Sequence, residues 1–188
     1  LTDIESLPKG ILFWRSLTQW IGGMGIIVLA VAILPILGIG GMQLFVAEAP
    51  GISPDKLKPR IRETAIRLWL IYLILTGSEF LLLMIGGMSF YDAINHSLTT
   101  MATGGFSTKN LSIAHFSNPF IQYVIILFMF LAGTNFTLTY FGLHGKLKKI
   151  WQNEEFRHYF GFVLVLSVFI AIAIKTITPD SFEAAFRA

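Results

Sequence analysis

The sequence predicts an all-α membrane protein built from a repeated span-loop-span unit, and three observations lead there. Of 188 residues, 54% are hydrophobic and 13% charged, against about 25% charged in an ordinary soluble domain, and the mean hydropathy is +0.69. Several apolar runs reach or approach the ~20 residues that cross a ~30 Å hydrocarbon core. Finally, a Thr- and Gly-rich stretch, residues 99–108, follows a segment that is helix-like but too short to be a span.

Lipid offers the backbone no hydrogen-bond partner, so every span must be a helix. The first covers 11–37, the second 68–88, the third 119–143 and the fourth 159–177. Between the first two lies 44–67, rich in Pro, Lys and Arg; between the last two lies 144–158, also basic. The segment 89–118 carries only Lys109 and Asp92 as charges. Basic loops stay in the cytoplasm, so 44–67 and 144–158 are cytoplasmic and 89–118 external, and the two spans between the basic loops give the right parity. Topology thus accounts for the net charge of +3 without nucleic acid as a partner. With no cysteine in the chain, disulfides, thiolate metal sites and cysteine catalysis are excluded. Residues 1–5 are polar and acidic with no basic leader, and read as the interior of a longer chain.

Residues 89–101 cannot be a span, because about a dozen helical residues rise only ~18 Å. They form a pore helix that enters and leaves by one face. Ser89 with Asp92 three residues later predicts a capping box that starts this helix at Phe90. It ends near Met101, with the partial negative charge of its C-terminus inside the membrane, where it favours a cation. The loop 102–108 follows. A cation leaving water needs backbone carbonyls in place of its hydration shell, aimed by a chain free to visit φ > 0. Gly104 and Gly105 supply that freedom.

The pattern repeats. Ser89-Phe90-Tyr91-Asp92-Ala93 follows the second span as Pro179-Asp180-Ser181-Phe182-Glu183-Ala184-Ala185 follows the fourth, and Pro8 precedes Gly22 as Pro119 precedes Gly133. The unit is span, pore loop, span. Residues 1–43 hold the outer loop and closing helix of a first unit, 68–143 a complete second unit, and 159–188 the first span and incipient pore helix of a third.

Other residues carry weaker signals. Glu79 lies mid-span, where an ionisable group faces protein or water; it is either a cation-attracting or gating carboxylate, or a structural acid paired with Asn135. Arg15 either snorkels or seats the loop that precedes it, and Lys175 snorkels. Trp14, Trp20, Trp69 and Trp151 suit membrane interfaces. His96, His115, His144 and His158 have no i, i+4 partner, so metal binding is not expected, and interfaces suit them too. Gly22-Gly23-Met24-Gly25 and Gly38-Ile39-Gly40-Gly41 follow no strand, which favours close helix packing over nucleotide loops. An integral membrane enzyme acting on a lipid-borne substrate through Asp92, His96 or Glu79 is the alternative class, but the acids and bases are scattered. Secondary transporters usually break their spans at midplane instead of inserting short loops.

Three stretches carry a family resemblance: Phe13-Trp14-Arg15-Ser16-Leu17-Thr18-Gln19-Trp20-Ile21-Gly22-Gly23-Met24-Gly25; Gly41-Met42-Gln43-Leu44-Phe45 with Glu48-Ala49-Pro50-Gly51; and Asn95-His96-Ser97-Leu98-Thr99-Thr100-Met101-Ala102-Thr103-Gly104-Gly105-Phe106-Ser107-Thr108. Over essentially its whole length the chain resembles the TrkH/KtrB family of bacterial potassium-uptake membrane subunits, on its TrkH side. The resemblance implies four K⁺-channel-like units around a pseudo-fourfold axis, each giving a quarter of a K⁺ filter. It makes the backbone of Ala102, Thr103, Gly104 and Gly105 the filter quarter, with K⁺ at Thr103 and Gly104, Thr100, Phe106 and Ser107 in support, and the Thr100 and Thr103 hydroxyls lining the inner mouth. Gly-Gly-Phe in place of Gly-Tyr-Gly implies fewer ordered ion sites. It also implies a multi-pass protein of the bacterial inner membrane that is no enzyme and needs no cofactor, K⁺ being the transported ion. Its implied partners are the lipid bilayer, the remaining units of the same subunit, a second copy in a homodimer, and a cytosolic nucleotide-binding, TrkA-like regulatory subunit. The family's gating segments fall in units outside this chain, which is not expected to conduct alone.

Overall fold

The structure, a computed structural model, describes residues 3–23, 25, 58–134, 138–139, 142, 145 and 147–177. Helices α1 (Lys9–Gly23), α2 (Lys58–Ile85), α3 (Phe90–Met101), α4 (Pro119–Ala132), α5 (Leu147–Trp151) and α6 (Glu154–Ile177), with a 3-10 turn at Ser112–His115, make up its regular structure, and no strand occurs among the described residues. The predicted fold class holds. Among the described residues two helices are long and apolar enough to cross a bilayer, through Ala65–Ile85 and Glu154–Ile174.

Short α3 is the hub, packed against α1, α2 and α4. Its apolar contacts, Ala93 and Met101, join Tyr72 and Leu83 of α2 and Ile125 and Phe128 of α4 in one core. Its polar residues are buried as well, from Asn95 to Thr100. They survive there by bonding to their own helix: Asn95 Nδ2 donates to the Tyr91 carbonyl at 2.7 Å and Ser97 Oγ to Ile94 at 3.0 Å, as short polar side chains do where water is absent. At the outer end Asn118 closes the unit. Its Oδ1 caps α4 by accepting from Phe120 N at 3.0 Å, while its Nδ2 donates to the Gly86 carbonyl past the end of α2 at 2.8 Å.

Several boundaries differ from the sequence reading. The helix containing the second span starts at Lys58, so 58–67 is helix where a basic loop was expected; Pro59 sits in the first turn, where its missing N–H has no partner to lose. The helix of the third span breaks after Ala132, with Gly133 as its C-cap, and helical residues recur at 138, 139 and 142 within the expected 119–143. A side chain at Gly133 would meet the Tyr159 hydroxyl at 2.4 Å, so the tyrosine of α6 reaches α4 there. The expected loop 144–158 contains α5 and the start of α6, which Asn153 Oδ1 caps by accepting from Phe156 N at 3.0 Å. Residues 26–57, Asn135, His144, the Lys175 side chain and the incipient pore helix in 178–188 lie outside the described residues.

Trp20 and Trp69 are not free interfacial anchors. They meet edge to face at 6.0 Å, and Trp20 Nε1 donates to Thr76 Oγ1 at 3.0 Å. With the Tyr72 hydroxyl donating to the Trp20 carbonyl at 2.9 Å, these bonds lock α1 to α2. Trp14 and Trp151 are exposed.

Candidate functional site

The segment 89–108 is closed on itself by one carboxylate. Ser89 Oγ accepts from Asp92 N at 3.1 Å and donates to Asp92 Oδ2 at 2.7 Å, while the Thr108 hydroxyl donates to Asp92 Oδ1. The start of α3 and the end of the following turn are thereby held together. Partial burial works to raise the Asp92 pKa, but the bonds from Thr108 and Ser89 outweigh it and leave the carboxyl below its ordinary value.

Past Met101 the N–H groups fold back onto the helix. Ala102 N donates to Leu98 O at 3.3 Å, Thr103 N to Thr100 O at 2.9 Å and Gly104 N to Thr99 O at 2.8 Å. The carbonyls are used differently. That of Ala102 accepts from Thr103 Oγ1 at 2.7 Å; those of Thr103, Gly104 and Gly105 accept no bond from any described residue. Thr103 and Gly105 are left-handed, at φ 53° and 69°. This alters the expected part played by the glycines. Gly105 needs its conformational freedom, but the second left-handed residue is a threonine, and Gly104 is required for a different reason. A Cβ on Gly104 would stand 1.6 Å from Gln19 Nε2.

Behind the turn a set of side chains fixes the exit. Thr99 Oγ1 donates to the Phe106 carbonyl at 2.9 Å. His96, expected at an interface, is 2% exposed; its Nδ1 lies 2.8 Å from the Asp92 carbonyl and its Nε2 3.0 Å from Ser107 Oγ. Because Ser107 Oγ also accepts from Lys109 N at 3.1 Å, one assignment satisfies all three: Nδ1–H donates to the carbonyl and the serine proton goes to Nε2. Arg15 neither snorkels nor seats the preceding loop. Its Nη2 donates to the Ser107 carbonyl at 2.9 Å and its guanidinium carbon lies 4.4 Å from the Phe106 ring centre. Sequence reasoning missed Gln19 and Thr99. The signal for Gln19 was its place four residues after Arg15, on the same helix face.

Thr100 is buried, not open, while Thr103 is exposed. A cavity of ≈ 360 Å³ opens against the turn, lined by His96, Thr99, Thr100, Thr103, Gly104 and Met129 among others. Glu79 is 0% exposed, and neither carboxylate oxygen has a hydrogen-bond partner among the described residues. Its expected partner Asn135 lies outside them. Asp92, His96 and Glu79 do not converge: the first two serve the loop's own closure, and no cluster of three or more His, Cys, Asp or Glu able to hold a metal occurs among the described residues. The turn therefore offers neutral backbone oxygens and hydroxyls, a donor set suited to a hard, weakly charged cation.

Comparison with known proteins gives a consistent picture. Residues 1–184 match the model of the TrkH family, described as "Cation transport protein". The Trk system potassium uptake protein TrkH of Salmonella typhimurium (strain LT2) is 49% identical over 176 residues, covering 93% of this chain and 36% of that protein. TrkH of Vibrio parahaemolyticus is 43% identical over 194 residues, covering 100% of this chain and 39% of its own length. TrkG of Escherichia coli (strain K12), another Trk system potassium uptake protein, is 40% identical over 185 residues, 97% of this chain and 36% of that one. The crystal structure of the potassium transporter TrkH from Vibrio parahaemolyticus superposes with a TM-score of 0.75 at 39% identity, over 98% of this chain and 37% of that chain. The chain thus spans a little over a third of the length of these relatives.

Proposed function

The chain belongs to the TrkH family of cation transport proteins, and from that premise we propose that it contributes one quarter of the selectivity filter of a multi-pass K⁺-uptake subunit in the bacterial inner membrane. Ala102, Thr103, Gly104 and Gly105 offer their carbonyls to K⁺, with ions at Thr103 and Gly104; Thr100, Phe106 and Ser107 support them. The observation that carries this reading is the set of unclaimed carbonyls at 103–105. At membrane depth a backbone carbonyl without a partner costs several kcal/mol unless water or an ion serves it, and three in succession at the end of a buried half-length helix describe a path for a dehydrating cation. The α3 C-terminus adds partial negative charge at the same place.

In this reading 44–67 and 144–158 face the cytoplasm and 89–118 faces outward. The subunit pairs as a homodimer and docks a cytosolic nucleotide-binding, TrkA-like regulator on its basic loops, supported by their charge. It performs no covalent chemistry and holds no cofactor; Asp92, His96 and Glu79 have structural duties. The test is K⁺ and Na⁺ uptake by the complete protein carrying Gly104→Ser. Its new side chain collides with Gln19 and displaces the carbonyls, so K⁺ uptake falls and the preference for K⁺ over Na⁺ narrows. Unchanged rate and preference would refute the filter assignment.

A further inference from the structure

We infer that Arg15 and Gln19 are positioning residues that hold the second unit's filter from the neighbouring unit, forming a polar strut present at this boundary and missing from the next. The inference rests on the filter reading above. Both residues lie on α1, which belongs to the first unit, and their i, i+4 spacing puts them on one face. Arg15 grips two consecutive residues just past the glycines, Phe106 through its ring at 4.4 Å and Ser107 through its carbonyl at 2.9 Å. Gln19 presses its amide into the space that a side chain on Gly104 would fill. The unclaimed carbonyls of Gly104 and Gly105 thus stand between two contacts supplied by another unit.

The burial is of the kind that marks a committed site. Arg15 Nε and Gln19 Oε1 are both buried and have no hydrogen-bond partner among the described residues. Such orphaned polar atoms are costly and are retained where the rest of the side chain has an essential contact. Neighbouring ties fix α1 in place for this purpose: Asn110 of the loop accepts from Ile4 N at 2.7 Å, and the Tyr91 hydroxyl donates to the Lys9 carbonyl at 2.8 Å. At the other end of α1, Gly23 lets the helix approach the filter entrance, since a Cβ there would lie 2.7 Å from Ala102 Cα.

The strut does not recur. Aligning Pro8 with Pro119 and Gly22 with Gly133 sets Arg15 against Ile126 and Gln19 against Phe130. Phe130 stacks on Tyr159 at 5.2 Å instead. The next boundary therefore receives two apolar side chains in place of a guanidinium and an amide, so the filter quarters are held unequally and this one is the stiffer. Ion discrimination depends on how firmly the ring of carbonyls resists closing on a smaller cation. Loosening one quarter lets Na⁺ compete.

The experiment measures initial K⁺ and Na⁺ uptake by the complete protein with Arg15→Leu, Gln19→Leu, Arg15→Lys and Gln19→Met, beside Gly104→Ser and, as a control, Trp14→Phe on the exposed face of α1. Both leucine variants lower the K⁺-to-Na⁺ preference about tenfold, through a higher KM for K⁺ with a smaller change in maximal rate, because sub-ångström misplacement of ligands acts on ion binding. Arg15→Lys recovers part of the loss, keeping charge and one donor but not the flat stack on Phe106. Should the leucine variants fail to reach the membrane, Arg15→Lys and Gln19→Met carry the test, each with a smaller fall in preference. A preference unchanged within about twofold in the strut variants, with Gly104→Ser altered, overturns the strut and leaves the filter standing. If Gly104→Ser is unchanged too, the filter assignment falls and the strut with it.

Discussion

Gly104 and Gly105 are adjacent and identical, yet replacing each with alanine should fail for different reasons. At Gly105 a Cβ meets nothing within 4 Å, so the only cost is the left-handed backbone at φ 69°, about 1–2 kcal/mol. At Gly104 the Cβ lies 1.6 Å from Gln19 Nε2 and 2.0 Å from Cδ. An ordinary contact begins near 3.4 Å, so the amide of Gln19, the far end of a flexible side chain, must swing aside by about 2 Å and give up its place, a change within the usual 1–3 kcal/mol of overpacking. Gly104→Ala should therefore cost about 1–3 kcal/mol, a factor of about five to a hundred in K⁺-uptake efficiency if the turn yields. The second substitution Gln19→Ala empties the contested space. It should restore most of the stability and part of the uptake of Gly104→Ala, and leave Gly105→Ala unimproved. Thermal unfolding in detergent together with K⁺ uptake by the four single and double variants reads this directly. No relief of Gly104→Ala by Gln19→Ala, or equal relief of Gly105→Ala, would refute the steric reasoning.

Further predictions follow from the loop and its supports. Asp92→Asn removes a charged acceptor shared by Ser89 and Thr108 and should destabilise the loop by about 1.5–3 kcal/mol, read as a lower Tm and faster proteolysis between 102 and 118. Because the Asp92 pKa is lowered in the folded state, its contribution is fully present above the ordinary aspartate value of about 3.9 and is lost as pH falls through the lower folded value; a Tm profile should show this acid limb in the parent and not in Asp92→Asn. Gly23→Val pushes a side chain to within 2.7 Å of the Ala102 backbone and should separate α1 from α3, losing about 1–3 kcal/mol along with K⁺ uptake. Gly133→Ala meets the Tyr159 hydroxyl at 2.4 Å; Tyr159→Phe should relieve most of that loss, since the ring carbon beneath lies at 3.1 Å, and equal Tm values for Gly133→Ala with and without Tyr159→Phe would argue against a fixed α4–α6 contact.

Local chemistry made some of this architecture readable in advance. The Ser89 and Asp92 cap, the end of α3 at Met101 and the start of α4 behind Asn118 and Pro119 are matters of a few neighbouring residues, and the structure has them where the residue pattern puts them. Contacts made by tertiary packing were not readable. At the end of α4 the Tyr159 side chain from α6 stands beside Gly133, and nothing in an apolar run announces that contact. Asn153, which begins α6 five residues before the expected start of the span, is a local signal that hydropathy outweighed.

Hydropathy, charge placement and the spacing of Ser, Asp, Thr and Gly were enough to determine a helical membrane protein with a short capped helix and a glycine-bearing loop after it, because solvent transfer and capping act on residues close together in the chain. Which residues hold that loop was decided by packing alone. Arg15 and Ser107 stand 92 positions apart, and Gln19 meets Gly104 only once α1 lies along α3. Contacts of that kind arise from where whole helices come to rest, and a linear pattern carries no record of their direction or depth.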